Sequence, residues 1–144
     1  MENINQAAKI AITTANLGKG STHPPLHAKQ SVPANIFHFD DTNFPPRMKA
    51  MSPGLQTILL KLFLWQIVPG YDYYLWTNES LKDGGVIQTF LDSKRDFTAK
   101  SSDLFMYKNT PRVQEMLKRW WYLVTRYDIE DNLAMKKASA KFKL

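Results

Sequence analysis

The stretch that most constrains this chain runs Pro69-Gly70-Tyr71-Asp72-Tyr73-Tyr74-Leu75-Trp76-Thr77-Asn78-Glu79-Ser80. A turn dipeptide opens it, an aromatic and apolar run follows, and four polar residues in succession close it. This is the pattern of a buried central strand whose carboxyl end reaches the edge of a sheet. In open α/β sheets small molecules bind in the crevice outside the carboxyl ends of the strands, so Thr77, Asn78, Glu79 and Ser80 come first as site candidates.

Two earlier segments end the same way. Lys9 to Ala15 is β-branched and apolar and runs into Asn16-Leu17-Gly18-Lys19-Gly20, a strand followed by a glycine-containing loop. Asn35 to Asp40 alternates apolar and polar residues and closes on Asp40-Asp41. Between them Ser21 to Ser31, with Pro24-Pro25, has no period and reads as loop; Thr42 to Met51, with Pro45-Pro46, Arg47 and Lys49, reads as a second, basic and exposed loop. Polar strand ends therefore recur after Ala15, Phe39 and Trp76. If the three strands are parallel neighbours, those ends meet in one crevice.

Ser52-Pro53 predicts a helix start, a hydroxyl cap followed by proline at the first helical position, and the helix is expected to run to about Ile67. Leu55, Ile58, Leu59, Leu62, Phe63 and Ile67 keep the 3.6-residue period, while Leu60, Leu64 and Trp65 extend the apolar face almost all the way round. Lys61 is the lone charge in that run and needs a partner, because an unpaired charge on an apolar helix is costly. A weak helix follows from about Gly85 to Asp92, and Asp103 to Tyr107 reads as a further strand. Thr110-Pro111 repeats the cap, and Val113, Met116, Leu117, Trp120, Val124 and Tyr127 mark one face of a strong amphipathic helix. From Asn132 onward the Ala, Lys and Ser composition predicts a frayed basic helix or an unstructured end. The order β-loop-β-loop-α-β-α-β-α predicts an α/β/α sandwich with a mostly parallel central sheet.

A chain of 144 residues accommodates one domain that buries roughly two-thirds of its unfolded surface. Its net charge of +6 raises the question of nucleic acid, but four lysines, at 136, 137, 141 and 143, lie at the carboxyl end and leave the body nearly balanced. With no base-reading motif, no nucleic-acid partner is expected. The absence of cysteine excludes disulfides and thiolate metal sites. Neither a leader-like amino end nor an apolar run of membrane-spanning length is present, so no transmembrane segment and a cytoplasmic location are expected.

Several groups carry chemistry on their own terms. Thr13, Thr14, Asn16 and Gly18 offer donors to a diphosphate or a base, or form an ordinary strand-exit turn; no GxGxxG or Walker pattern is present. Asp40 and Asp41 suit a base or ribose, or a solvated turn. Arg47 and Lys61 can supply the positive charge that a pyrophosphate needs. Asn78 and Ser80, at alternate positions, can face one side as oxygen ligands of a divalent cation, or cap a following helix. The three histidines, His23, His27 and His38, suggest a metal site by count, but His23 and His27 would share a face only on a helix, which Pro24-Pro25 opposes, and they read as loop residues.

Taken in order, AITTANLG, FHFDD and RMKAMSPGLQTILLKLFLWQIVPGYDYYLWTNESL resemble the small glycosyltransferase-like proteins of viruses, phages and bacteria whose domain adopts the GT-A nucleotide-sugar transferase fold. That family has a strand ending T-A-N-x-G, a strand ending F-x-D-D, an arginine-containing loop, a helix with a lysine, and a Y-D-Y-x-x-W element leading into Asp-x-Asp or Asp-x-Ser. The resemblance covers roughly Lys9 to Leu81. DLFMYKNTPR is similar to the family's F-x-x-H-x-x-R strand, with Asn109 near the usual histidine and Arg112 at the arginine.

The resemblance implies a GT-A-like, Rossmann-like domain over residues 1–131, shorter than that fold usually runs, with a basic Lys-rich tail, 132–144, in place of the carboxyl-terminal acceptor side. It implies a donor pocket of Thr14, Ala15 and Asn16, Asp40 and Asp41 near the base or ribose, Arg47, Lys61 and Arg112 on the donor, and Trp76 closing the central strand. Mg²⁺ or Mn²⁺ would sit at Asn78 and Ser80, the Asp-x-Asp positions. Asn78 stands where the family has aspartate, and losing that charge weakens metal binding. Two functions follow as expectations: transfer of a sugar from a nucleoside-diphosphate sugar to an unknown acceptor, or a catalytically degenerate module that binds a nucleotide or a protein.

Overall fold

The structure, a computed structural model, describes residues 8–16, 34–40, 43, 51–77 and 85–144. Within these residues the chain forms β1 (Ile10–Asn16), β2 (Asn35–Asp40), α1 (Pro53–Leu62), α2 (Leu64–Ile67), β3 (Tyr73–Thr77), α3 (Gly85–Ser93), β4 (Phe97–Ser101), β5 (Leu104–Lys108), α4 (Pro111–Tyr127) and α5 (Asp131–Lys141). The strands make one sheet in the order β2-β1-β3-β5-β4.

The sheet is mixed rather than mostly parallel. β1 pairs in parallel with β2 and with β3, whereas β5 is antiparallel to both β3 and β4. The cause is local. Only Ser102 and Asp103 separate β4 from β5, and a connection that short allows only antiparallel pairing, since a parallel crossover needs a dozen or more residues. Strand β4 was not among the sequence expectations; its Phe97 and Ala99 face the core while Thr98 and Lys100 are outward, a half-buried alternation too short to stand out.

Side-chain alternation sends the two faces of the sheet into separate cores. On one face Ala11, Phe39, Tyr74, Trp76, Phe105 and Tyr107 pack against α1, α2, α4 and α5. On the other, Ile10, Ile12, Leu75 and Met106 pack against Ile87 and Phe90 of α3. Helices thus cover both faces, as expected for a three-layer α/β/α arrangement.

Both expected caps form: Leu55 N–H donates to Ser52 Oγ at 3.4 Å, and Val113 N–H to Thr110 Oγ1 at 3.1 Å. The helix expected to continue to Ile67 instead breaks at Phe63, which leaves the helical region at φ −122° and separates α1 from α2. Leu60 and Leu62 of α1 and Leu64 of α2 enter the core, while Leu55 remains exposed. On α4, Val113, Met116, Leu117 and Trp120 are buried as the period predicts, joined by Leu123; Tyr127 is 60% exposed because the helix ends there, at the left-handed Asp128. The segment read as frayed or unstructured is α5. It is capped by Glu130, whose carboxylate accepts from Asn132 and Leu133 N–H, and it seats Ala134, Met135 and Ala138 in the same core as α4. Small residues at that spacing let α5 lie close, which compensates for its weak amphipathic pattern.

Candidate functional site

The strand order turns back at β1. The chain moves from β1 outward to β2, then crosses back over to β3 on the opposite side of β1. This reversal in a parallel segment brings the carboxyl ends of β2, β1 and β3 together along one edge, the position where open α/β sheets form a binding crevice.

Register places the candidates along that edge. Asn16 lies opposite Asp40, Ala15 opposite Phe39, Thr14 opposite His38, and Thr13 opposite Trp76. Thr13 Oγ1 donates to the Leu75 carbonyl at 3.1 Å and is buried, so this hydroxyl fastens β1 to β3. Asn43 closes the β2 end: its Oδ1 accepts from Asp40 N–H at 2.7 Å and its amide donates to the His38 carbonyl at 2.8 Å. Thr14, Ala15, Asn16 and Asp40 thereby lie in neighbouring register positions at the ends of β1 and β2. Thr77 ends β3 and is buried. Asp41, Arg47, Asn78, Glu79 and Ser80 lie outside the described residues.

Trp76 is adjacent to this edge but turned into the core, fully buried, with its indole N–H unpartnered. Arg112 does not join the group. It follows β5, and because β5 runs antiparallel to β3, Lys108 pairs with Tyr73 at the opposite edge of the sheet. There the guanidinium of Arg112 donates to the Phe142 carbonyl and lies 6.0 Å from the Phe142 ring.

Lys61 is at the right edge with a different engagement from the phosphate contact implied for it. The β4–β5 turn shares the edge with the end of β3, since Thr77 pairs with Leu104. The Lys61 ammonium, 1% exposed, donates to the Ser102 carbonyl of that turn at 2.7 Å and to Asp131 Oδ2 of α5, with Asp103 Oδ1 at 3.9 Å. Asp131 also accepts from Trp120 Nε1 at 2.8 Å, and the ammonium lies 5.4 Å from the Trp120 ring centroid. These partners satisfy a charge that could not otherwise be buried on α1. Lys61 therefore acts as an internal tie that holds the turn, α1, α4 and α5 together beside the candidate edge.

His38 is the residue at this edge that was not among the site candidates. It lies in β2, within the strand expected over Asn35 to Asp40, and because Phe37 and Phe39 pack into the core beneath α1 and α4, alternation turns His38 toward the α3 side of the sheet. Both ring nitrogens are buried without a hydrogen-bond partner. Buried polar atoms are seldom left unpaired, so this imidazole, opposite Thr14, marks the edge as a place where hydrogen-bonding capacity is held in reserve. The signal was present in the alternation Asn35-Ile36-Phe37-His38-Phe39-Asp40, which puts His38 and Asp40 on the same face.

A hollow of about 410 Å³ lies at the other edge of the sheet, among Lys9, Ala34, Asn35, Gly70 and Tyr71. Two hydrogen bonds cross it: Lys9 N–H donates to Asp72 Oδ2 at 2.9 Å and the Asn35 amide to the Tyr71 hydroxyl at 2.7 Å. Among the described residues no three His, Asp or Glu side chains converge as a metal site, and no helix is long and apolar enough to cross a membrane. Compared with known proteins, the chain matches no family model, and no curated protein or solved structure is significantly similar to it.

Proposed function

We propose that this protein is a glycosyltransferase that moves a sugar from a nucleoside-diphosphate donor to an acceptor at the carboxyl edge of β2, β1 and β3. The observation that carries this reading is the reversal of strand order at β1, with Asn16 opposite Asp40. The sequence likeness supplies the chemical identity of the ligand. In this reading Thr14, Ala15 and Asn16 border the nucleotide, Asp40 and Asp41 accept hydrogen bonds from its base or ribose, and Arg47 stabilises negative charge growing on the departing diphosphate. Asn78 and Ser80 offer two neutral oxygen donors; they suit Mg²⁺ or Mn²⁺ in kind but hold it weakly, because neither carries charge. Such an ion, when bound, would supply further stabilisation to the leaving diphosphate. Lys61, paired internally, serves as a positioning residue for the edge.

The replacement of the family's aspartate by Asn78, together with the internal pairing of Lys61, favours a second reading: a degenerate relative that binds the nucleotide without turnover. One series of measurements separates the two. A nucleoside diphosphate that binds the folded chain at about 100 times its dissociation constant adds roughly 2.7 kcal/mol of stability, which a thermal-shift titration resolves readily. Binding accompanied by hydrolysis of the donor sugar supports the transferase; binding without it supports the degenerate module. No shift with any nucleoside diphosphate, with or without Mn²⁺, overturns both.

A further inference from the structure

At the edge of the sheet opposite the candidate site, a cavity of about 200 Å³ is bounded by the end of α3, the start of β4 and the end of β5. Its walls are chemically uneven. Tyr73 and Phe90, packed edge to face with ring centroids 5.9 Å apart, form an aromatic side, while Lys94, Arg95 and Lys108 bring three cations against a single acid, Asp96. None of the three cations is ion-paired among the described residues. We propose that this cavity is a binding site for a small phosphomonoester carrying an aryl or comparable apolar group.

The mounting of the cations supports a built site. Lys94 N–H donates to the Leu91 carbonyl at 3.3 Å, Arg95 N–H to Ser93 Oγ at 3.2 Å, Ser93 Oγ to the Phe90 carbonyl at 2.6 Å, and Lys108 N–H to the Asp96 carbonyl at 2.8 Å. The backbone carrying all three is thus fixed before a ligand arrives, which lowers the entropic cost of binding. Lys94 also sits at φ 57°, in the left-handed conformation that glycine or asparagine normally takes after a helix. Asp128 and Lys143 take the same conformation after α4 and α5, so it is the way these helices end, and it costs a lysine more than a glycine. Helix-dipole compensation accounts for cations at Lys94 and Arg95, which follow α3 directly. It does not account for Lys108, which comes from β5 and brings a third positive residue to the same cavity. An anion bound there would offset that gathering of charge.

The ligand class follows from size and charge. A cavity of this volume falls below the range of about 300–1,000 Å³ usual for drug-sized ligands, so the guest is small. Three cations facing one carboxylate suit a dianion, and the Tyr73–Phe90 wall suits an apolar substituent. This site is independent of the sugar-nucleotide edge, because Tyr73 begins the strand that Thr77 ends.

The test is an NMR titration of the full chain with phenyl phosphate at low ionic strength, with inorganic phosphate and benzoate as comparators. Expected are saturable shifts of the Tyr73 and Phe90 ring signals, an affinity at least fivefold above that of either comparator, and a loss of fivefold or more in each of Arg95→Ala and Lys108→Ala. Lys94→Gly relieves the strained backbone, so it should keep or raise the melting temperature while weakening phenyl phosphate by a similar factor. No saturable shift at millimolar ligand, equal affinity for inorganic phosphate, or unchanged affinity in the Arg95 and Lys108 variants would overturn the proposal.

Discussion

The ammonium of Lys61 in α1 and the carboxylate of Asp131 at the first turn of α5, seventy residues apart in the chain, form an ion pair at the border of the main core. The two members are not equally dispensable. Asp131 is 22% exposed, accepts a second hydrogen bond from Trp120 and sits at a helix amino end, where negative charge is favoured. Lys61 is 1% exposed and, without Asp131, would keep only the neutral Ser102 carbonyl and the Trp120 ring, with the Asp103 carboxylate at 3.9 Å. Asp131→Asn should therefore destabilise by about 3–5 kcal/mol, the cost of stranding a buried charge, while Lys61→Met should cost only about 1–2 kcal/mol. Urea unfolding of both variants measures the ranking, and the reverse order would contradict the assignment of Lys61 as the more buried partner.

Tyr107 predicts an alkaline weakness. Burial pushes its hydroxyl well above the usual 10.0, with the nearby Tyr74 adding to the shift and the Trp65 backbone lowering it; the Trp65 group lies outside hydrogen-bond geometry, so the buried hydroxyl is unpartnered. A group whose folded pKa is raised keeps its full contribution below the unfolded pKa and loses it as pH rises toward the folded one. Stability should thus fall above about pH 10, by up to about 1.4 kcal/mol per pH unit from this group alone. Tyr107→Phe removes both the titration and an unpaired buried hydroxyl. It should be neutral or slightly stabilising at pH 7 and shallower in its alkaline decline, as read by denaturation across pH 8–11.

His38 offers a trade between stability and binding. An unpaired buried polar group costs about 1–3 kcal/mol, so His38→Phe should raise the unfolding free energy by roughly 1 kcal/mol. If the imidazole is held in reserve for a ligand at the β1–β2 end, the same variant should bind nucleoside diphosphates several-fold more weakly. Loss of stability would show that the ring has partners in the folded protein, and unchanged nucleotide affinity would remove His38 from the site.

Asn78→Asp restores a carboxylate at a position that the family likeness links to metal. It should tighten Mn²⁺ binding in the presence of nucleotide by about tenfold, since one added negative charge at a divalent ion is worth more than about 1.4 kcal/mol. Isothermal titration with Mn²⁺ measures this, and an unchanged constant would count against Asn78 as a ligand.

Much of the local architecture was legible. Ser52-Pro53 and Thr110-Pro111 specify helix starts because a hydroxyl cap and a proline at the first position satisfy backbone groups without help from the rest of the chain. The β-branched and aromatic runs of β1 and β3, and the α4 face from Val113 to Trp120, follow from periods of two and 3.6. The adjacency of Asn16 and Asp40 was expected from polar strand ends, given parallel neighbours. The role of Lys61 and the orientation of His38 were not. The first depends on partners 41 and 70 residues away, and the second on which side of the sheet each helix covers.

By itself, then, the amino-acid sequence determined where helices and strands begin and which strand ends are polar, because capping, periodicity and turn chemistry act over a few residues. Only the tertiary structure decided that the sheet is mixed, that Arg112 lies at the edge away from Asp40, and that Lys61 is spent on Asp131. Those outcomes follow from a two-residue connection between β4 and β5 and from the need to neutralise a buried charge, and both are resolved only when distant segments pack.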